Sequence, residues 1–517
     1  MSPTTPQPAT EMHDVMHRWK PDGVRSSLVG RRRLARLGRA ACVAVTVAVI
    51  GLVLVPVTAL AQFEVGLQDP GFSQPAASTS AQLAYKALTA VGGSTIRLNF
   101  NWQTIAPSGA TAPAGFDAAN PGDPLYNWDA IDAAVRTAAA HHDHVLADLV
   151  RAPKWAQPAG RPASLTIFGG IWNPSVQDFS LFARAAAMRY SGHYVPAGQT
   201  SPLPRVSQWE IWNEENLPED LTAPNLVSEY RSLLNAGYSA VKSASSSNTV
   251  IMGGLAPVSF VNGISVSPLK FAAEVMCLQR VGTRFIRAKA CPVKAHFDVL
   301  AIHPYSLDAT PTKHAYSYDD ILVGDVGKLD TLLSAAERLN TAAPHIKYKL
   351  WADEWSWFTN PPDKQVGDAP HTAARYTAYS MYEMWRDGVS LVVWFRAEDP
   401  STPPPNSPSF INGGGLYTST GTPKPMMQAF DFPVVAGISR GQGFVWGRAP
   451  VSRRTEVVIE HKVGGTWRRL MTANTASDGV FEVHFAATHN GSYRAQIPHS
   501  LVSLGYNSEP IAPVRTH

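Results

Sequence analysis

Short apolar stretches alternate with amphipathic ones from Gln62 to about Phe432. Eight stretches rich in apolar and β-branched residues are predicted as strands: 62–68, 94–101, 144–150, 206–213, 249–256, 297–303, 347–353 and 390–396. Between them apolar residues recur at i, i+3 and i+4, which predicts helices such as 127–140, 176–189, 225–243 and 371–386. Eight strand–helix repeats favour an α/β fold whose parallel sheet closes into a (β/α)8 barrel. A doubly wound open sheet is the alternative, but no GxGxxG motif follows the first strand.

The pattern changes after Phe432. Four short β-rich stretches follow, at 443–447, 455–461, 467–473 and 480–485. Glycine pairs and Asp-Gly or Asn-Gly steps separate them, at 464–465, 478–479 and 490–491, and such steps are typical of hairpin turns. Residues 433–517 are therefore predicted to form a small β-sandwich after a barrel that spans 62–432.

The N-terminal part has a different composition. Residues 1–39 are polar and basic and are predicted to form a disordered cytoplasmic tail. Residues 40–61 are 22 consecutive residues without a charge, enough to cross a bilayer as a helix, and five arginines precede them. An uncleaved membrane anchor fits this length, whereas Ala59-Leu60-Ala61 fits cleavage of a secretory signal peptide near Ala61. In either case residues 62–517 are expected outside the cytoplasm.

Charge and cysteine content agree with export. Residues 1–39 hold eight of the 44 Lys and Arg and three of the 40 Asp and Glu, which leaves 36 basic and 37 acidic groups in the remainder. A folded part without basic surplus argues against nucleic acid as a partner. Outside the apolar segment there are only two cysteines, Cys277 and Cys291, which either form a disulfide or are two buried thiols.

Strand parity predicts which side chains face the barrel interior, because alternate residues of a barrel strand point inward. The inward positions are predicted to be Arg97, Asn99 and Asn101 on the second strand, Glu210, Trp212 and Glu214 along and at the end of the fourth, His303 and Tyr305 at the C-terminal end of the sixth, and Leu350, Ala352 and Glu354 along and at the end of the seventh. Glu214 and Glu354 would then lie at the mouth of the barrel, where such barrels carry their active sites. Glu210 faces the barrel interior below Glu214 and is predicted to be a structural partner for a charged side chain.

Two carboxylates across one pocket suit the cleavage of a glycosidic bond. One carboxyl group protonates the departing oxygen while the other attacks, or activates water at, the oxocarbenium-like centre. The two groups need unlike environments, so that one is protonated while the other is ionised. No zinc pattern, phosphate loop or HExxH motif appears, so neither a metal nor another cofactor is expected.

The motifs Trp212-Asn213-Glu214 and Asp353-Glu354-Trp355 resemble those of clan A glycoside hydrolases, which are retaining (β/α)8 enzymes. The segments at 209–216, 250–257, 126–135 and 416–430 are most similar to family 39 and its bacterial relatives. The resemblance covers residues 62–432.

The resemblance implies a role for each matching residue. Glu214 would be the general acid/base and Glu354 the nucleophile, with their carboxyl groups ~5–5.5 Å apart. Asn213 would bind the sugar 2-hydroxyl, and Arg97 would orient Glu354. The remaining expected substrate contacts are His303 and Tyr305 beside the nucleophile, Trp394 as the platform beneath the sugar, and Trp102 and Trp155 as further walls.

Two departures from the family pattern bear on this site. Glu215 follows the acid/base at a position where the relatives usually have proline. A second carboxyl group there would either bind a sugar hydroxyl or disturb the pKa of Glu214. Asp353 stands where Thr or Ser is common.

The sequence thus predicts a retaining glycosidase acting on an extracellular polysaccharide or glycoconjugate. A catalytically silent glycan-binding protein and a transglycosidase with the same site are the alternatives.

Overall fold

The computed structural model describes residues 62–162, 169–259, 265–291, 293–307, 309–402, 412–439, 441–486, 491–498 and 506–515. The predicted tail (1–39) and the predicted anchor or signal segment (40–61) lie outside these residues. Within the described ranges, no helix combines the length and the apolar character needed to cross a membrane.

A closed barrel of eight parallel strands forms the larger part of the structure, as the sequence predicts. The strands of the barrel and its insertions are β1 (Glu64–Gln68), β2 (Thr95–Asn101), β3 (His144–Val150), β4 (Gln208–Ile211), β5 (Thr249–Leu255), β6 (Leu278–Val281), β7 (Arg284–Arg287), β8 (Ala295–His296), β9 (Val299–Ile302), β10 (Ala342–Ala343), β11 (Lys349–Trp355) and β12 (Val389–Phe395). Around the barrel the order is β1-β12-β11-β9-β5-β4-β3-β2, so neighbours in the chain are neighbours in space.

Helices connect the strands and cover the barrel. They are α1 (Thr79–Ala90), α2 (Trp102–Ile105), α3 (Asp129–Ala140), α4 (Val176–Arg189), α5 (Leu226–Ala244), α6 (Pro268–Val275), α7 (Gly327–Leu339), α8 (Pro370–Arg386) and α9 (Pro425–Asp431). Local sequence sets several starts: the Ser78 and Ser175 hydroxyls cap α1 and α4, and proline opens α6, α8 and α9.

Apolar side chains form two layers, one inside the barrel and one between the strands and the helices. Seven inward-facing side chains fill the lower interior of the barrel: Leu146, Ile251, Val299, Ala301, Trp351, Leu391 and Val393. A larger outer layer packs the strands against the helices. Because apolar side chains fill the lower interior, polar groups are confined to the upper part and the mouth.

An inserted hairpin, β6–β7, follows α6 and is tied down by a disulfide. Cys277 and Cys291 are joined, with their Cα atoms 5.4 Å apart. The chain then re-enters the barrel through β9.

The C-terminal region forms two four-stranded sheets. Its strands are β13 (Val434–Ser439), β14 (Gln442–Arg448), β15 (Glu456–Val463), β16 (Thr466–Asn474), β17 (Val480–Ala486), β18 (Tyr493–Ile497), β19 (Tyr506–Asn507) and β20 (Val514–Arg515). The sheets have the orders β17-β14-β13-β20 and β16-β15-β18-β19, and apolar residues of both share one core. They form a β-sandwich.

Candidate active site

Arg97 of β2 organises the polar upper interior of the barrel. Its side chain is fully buried, and its Nε and Nη2 donate to the Glu210 carboxylate at 2.7 and 3.0 Å. Nη1 donates to Gln68 Oε1 at 2.8 Å and to Glu354 Oε2 at 2.9 Å. Nη2 also donates to Asn213 Oδ1 at 2.9 Å. One guanidinium therefore fixes side chains from β1, the β4 end and β11 relative to one another.

The Glu354 carboxylate has a donor on each oxygen. Arg97 binds Oε2, and the Tyr305 hydroxyl donates to Oε1 at 3.0 Å. Burial, together with the charge of Glu354, raises the pKa of Tyr305 well above its ordinary value, so the hydroxyl remains a donor. The Glu354 side chain is 16% exposed. It is thus held rigidly while still open to the mouth.

Glu214 reaches the mouth because the chain leaves the β conformation after β4. Trp212 and Glu214 both have positive φ, +74° and +44°, and the Glu214 amide donates to the Gly254 carbonyl at 3.0 Å. The Glu214 Oε1 atom lies 2.9 Å from His303 Nδ1, and its side chain is 21% exposed. Glu214 and Glu354 therefore both open to the mouth, each bonded to a different residue that follows β9.

His303 is buried between several carboxylates. Burial alone would lower its pKa, but the charges and hydrogen bonds of Glu354, Asp353 and Glu214 outweigh this and raise the pKa well above its ordinary value. These acidic neighbours favour the protonated form of His303, in which both ring nitrogens are donors.

Further buried carboxyl groups lie beneath the mouth. Asp148 of β3 is 3.4 Å from Arg97 Nη2, and burial raises its pKa to about 7. Burial also raises the pKa of Glu210 well above its ordinary value, although Arg97 acts in the opposite direction. Sequence parity predicts Glu210 as a charge partner, and the structure gives that partner as Arg97.

Asp220 and Arg151 flank Glu214 and were not predicted from the sequence. Arg151 donates to the Asp220 carboxylate at 2.6 Å. Burial, and then the charge of Glu214, raises the pKa of Asp220 to about 7. Asp220 lies on the loop after β4, where strand parity gives no information.

The predicted platform residue Trp394 does not face the site, so this prediction is wrong. Trp394 is fully buried against Trp355 and Phe430, with ring centroids 5.0 and 5.1 Å away, and its indole N–H donates to the Gly414 carbonyl. Leu391 and Val393 fill the barrel interior, so the inward residue at the end of β12 is Phe395, which is partly exposed.

The two other predicted aromatic walls differ from each other. Trp102 is fully buried and stacks on Phe182 at 5.4 Å, so it belongs to the layer beneath the helices and cannot be a wall. Trp155 is half-buried, with its indole N–H bonded to the Pro107 carbonyl. Trp155 therefore remains a candidate wall.

Strand parity predicts the wrong side-chain direction for several residues along β11 and after the end of β4. Trp351 lies in the barrel interior, whereas Leu350 and Ala352, predicted to point inward, pack outward. A register shift between Ala352 and Trp355 then brings both Asp353 and Glu354 to the inner side. Trp212 also points outward, against Phe179, because its positive φ ends the alternation.

The Glu215 side chain is fully buried, so it cannot bind a sugar hydroxyl. Burial raises the pKa of its carboxyl group to about 8. At neutral pH it is therefore protonated and uncharged.

Glu210, His303 and Asp353 are the one group in the described part of the chain whose ligand atoms are close enough for a metal ion, within 4.8 Å of one another. However, Glu210 already pairs with Arg97, and the carboxylates around His303 raise its pKa and so favour its positively charged form. A further cation would be repelled by both, so these residues do not form a suitable metal site.

Comparison with known proteins gives similarity to solved structures. A family 39 glycoside hydrolase from the gut symbiont Bacteroides cellulosilyticus WH2 is 15% identical, with a TM-score of 0.49, and the alignment covers 83% of this chain and 81% of that one. A GH39 β-xylosidase from Caulobacter crescentus is 16% identical, with a TM-score of 0.49 and coverages of 84% and 97%. No protein-family profile and no curated protein matches the chain.

The chain is thus similar to solved glycoside hydrolases, those of family 39 among them. Similarity at this distance does not assign an activity to this chain.

Proposed function

We propose that this protein is a retaining glycoside hydrolase that cleaves an extracellular polysaccharide or glycoconjugate. The observation that carries the proposal is the pair of partly exposed carboxyl groups at the mouth, Glu214 and Glu354, each with its own hydrogen-bond partners. Such a pair is what double displacement at a sugar requires.

In the first step Glu354 attacks the anomeric carbon while Glu214 gives a proton to the departing oxygen. A glycosyl ester forms on Glu354, and the glycosidic bond breaks. In the second step Glu214 takes a proton from water, which attacks the anomeric carbon and releases Glu354. Arg97 and Tyr305 bind both oxygens of Glu354, so the attacking carboxylate loses little orientational freedom on reaction.

Asn213 would bind the sugar next to the bond that breaks. Its Oδ1 atom accepts from Arg97, which fixes the orientation of the amide and leaves its NH2 end to donate. A hydrogen bond from this group to the 2-hydroxyl would strengthen as positive charge develops on the ring. Phe395 would contact an apolar face of the sugar in place of Trp394.

The decisive experiment incubates the wild type, Glu354→Gln and Glu354→Ala with a panel of cell-wall and plant glycans. Both variants should lose at least about 10³-fold in turnover, because the covalent intermediate cannot form. Glu229→Gln on α5 is the control, since Glu229 lies on a covering helix, and it should keep wild-type turnover.

The stereochemistry of the first product, read by proton NMR, tests retention. The anomer that forms first should have the configuration of the substrate, and an inverted anomer would contradict the two-step mechanism. Measurable binding without release of reducing ends from any glycan would support a silent binding protein instead. Transfer to acceptor sugars would indicate a transglycosidase.

The proposed location outside the cytoplasm depends on residues 40–61. Their 22 uncharged residues after five arginines support either an anchor or a cleaved signal. Immunoblots of membrane and medium fractions separate the two forms, and a cytoplasmic protein would contradict both.

A further inference from the structure

Asp353 is a buried carboxylate with few charges to balance it. Its side chain is fully buried, and its nearest cationic atoms among the described residues are His303 Nε2 at 3.5 Å and Arg97 Nε at 4.0 Å. Arg97 is already shared with Glu210, Glu354 and other acceptors. A buried charge is costly unless it is paired, so His303 is the principal partner left to Asp353.

His303 in turn connects Asp353 to the mouth. Its Nε2 atom faces Asp353 while its Nδ1 atom is 2.9 Å from Glu214 Oε1. The three side chains form a continuous line from the buried interior to the exposed carboxyl group of Glu214, in the order Asp353, His303, Glu214. The family that the sequence resembles commonly has Thr or Ser at the position of Asp353, so the resemblance does not suggest this row of three side chains.

We propose that Asp353 is a positioning residue that keeps His303 doubly protonated, so that the imidazolium donates to Glu214 and stores the proton that Glu214 uses. The storage step rests on the proposed function, whereas the pairing of Asp353 with His303 does not. During cleavage Glu214 gives a proton from one carboxyl oxygen and receives the Nδ1 proton of His303 at Oε1. When water attacks, its proton passes through Glu214 back to Nδ1. One proton leaves with the departing alcohol and one enters from water.

Several charged or titratable groups face His303 and act on its protonation. They are Glu354 and Asp353 from β11, Glu214 and Glu215 from the loop after β4, Glu210 from β4, Asp148 from β3 and Arg97 from β2. Of these, only Glu214 and Asp353 contact the two ring nitrogens as ion-pair partners.

The charge of Asp353 determines whether its replacement raises or lowers the pKa of His303. Burial alone would raise the pKa of Asp353, but His303 and Arg97 hold it below its ordinary value, so the carboxyl group is ionised. A negative charge beside His303 raises the pKa of the imidazole. Replacing Asp353 by asparagine removes that charge and keeps the shape, so His303 should lose a proton at lower pH.

The test is a pH titration of the full-length protein labelled with 15N in its 16 histidines. The ring-nitrogen signals report protonation without any substrate, and the His303 signals are assigned by their absence in His303→Gln. In Asp353→Asn the midpoint of the His303 titration should fall by at least about one pH unit. Asp353→Thr, which also removes the charge, should shift it in the same direction and covers the case in which the asparagine variant does not fold.

Asp148→Asn is the matched control. Asp148 is an equally buried carboxyl group that contacts Arg97 but not a ring nitrogen of His303, so its replacement should shift the His303 midpoint by less than half as much. An unchanged midpoint in both Asp353 variants, or an equal shift in Asp148→Asn, would overturn the proposal. If the midpoint shifts as expected but no glycan is cleaved, the pairing stands and the proposed glycosidase activity fails.

Discussion

At the scale of single residues, Gly254 decides whether the buried polar cluster can exist. Its φ is +92°, a conformation that other residues adopt at a cost, and a Cβ atom there would lie 2.3 Å from Glu210 Oε1 and 3.0 Å from His303 Nε2. Both neighbours are held in place, Glu210 by Arg97 and His303 by Glu214. The cluster therefore depends on the absence of a side chain at Gly254.

Gly254→Ala should lower the free energy of unfolding by roughly 3 kcal/mol, because backbone strain and a steric clash add together. Gly160→Ala is the control, since Gly160 has a similar φ of +85° but its Cβ would meet nothing within 4 Å. It should cost only about 1 kcal/mol. Denaturant unfolding of both variants measures the difference, and equal losses would show that the clash does not contribute.

At the scale of secondary structure elements, the sequence predicts the strands well and the side-chain directions only where the strands are regular. The regular strand β2 places Arg97 inward, as its alternating pattern predicts. Along β11 and after β4, a register shift and two positive φ values break the alternation. Such irregularities arise from tertiary packing and leave no period-2 signal, so parity fails at the strand ends that form the site.

The end of β12 shows the same difficulty and gives a test. Trp394 and Phe395 are adjacent, and the resemblance favours the tryptophan, yet the structure exposes the phenylalanine. Phe395→Ala should lower kcat/KM on the glycan that the panel identifies by about 5- to 10-fold, through loss of an aromatic contact with the sugar. The free energy of unfolding should change little, because Phe395 is only partly buried.

Trp394→Phe is the counterpart of that variant. It shrinks a fully buried side chain and should cost about 1–3 kcal/mol of stability, while kcat/KM per folded molecule stays near the wild-type value. The opposite pattern, with Trp394→Phe losing activity and Phe395→Ala keeping it, would restore Trp394 as the platform.

At the scale of the whole molecule, the β-sandwich and the barrel are joined by specific contacts that the sequence does not predict. Trp446 of β14 packs against Tyr382 and Trp385 of α8, with ring centroids 5.5 and 5.6 Å away. The Asp478 carboxylate accepts from the Phe63 amide, just before β1, at 2.8 Å. Turn signals reveal that a second domain exists, but these docking contacts join residues from 61 to 415 positions apart and leave no local signal in the sequence.

Arg448 of β14 also links the sandwich to the barrel. Its guanidinium is buried and donates to the carbonyls of Val91 and Gly92, at 3.0 Å each, where α1 ends. Burial lowers its pKa to about 10, so it remains charged at neutral pH and stabilises the negative end of the helix dipole. Arg448→Met should lower the free energy of unfolding by about 2 kcal/mol, because it leaves two carbonyls without their donor.

Arg494→Met on β18 is the matched control, because Arg494 belongs to the same sandwich but its ion pair with Glu460 is partly exposed. That pair should contribute no more than about 1 kcal/mol. Calorimetric scans of the two variants test the link: Arg448→Met should lower the barrel's unfolding temperature clearly more than Arg494→Met does. If both variants unfold alike, Arg448 does not couple the sandwich to the barrel, and the aromatic contacts of Trp446 must hold the interface without it.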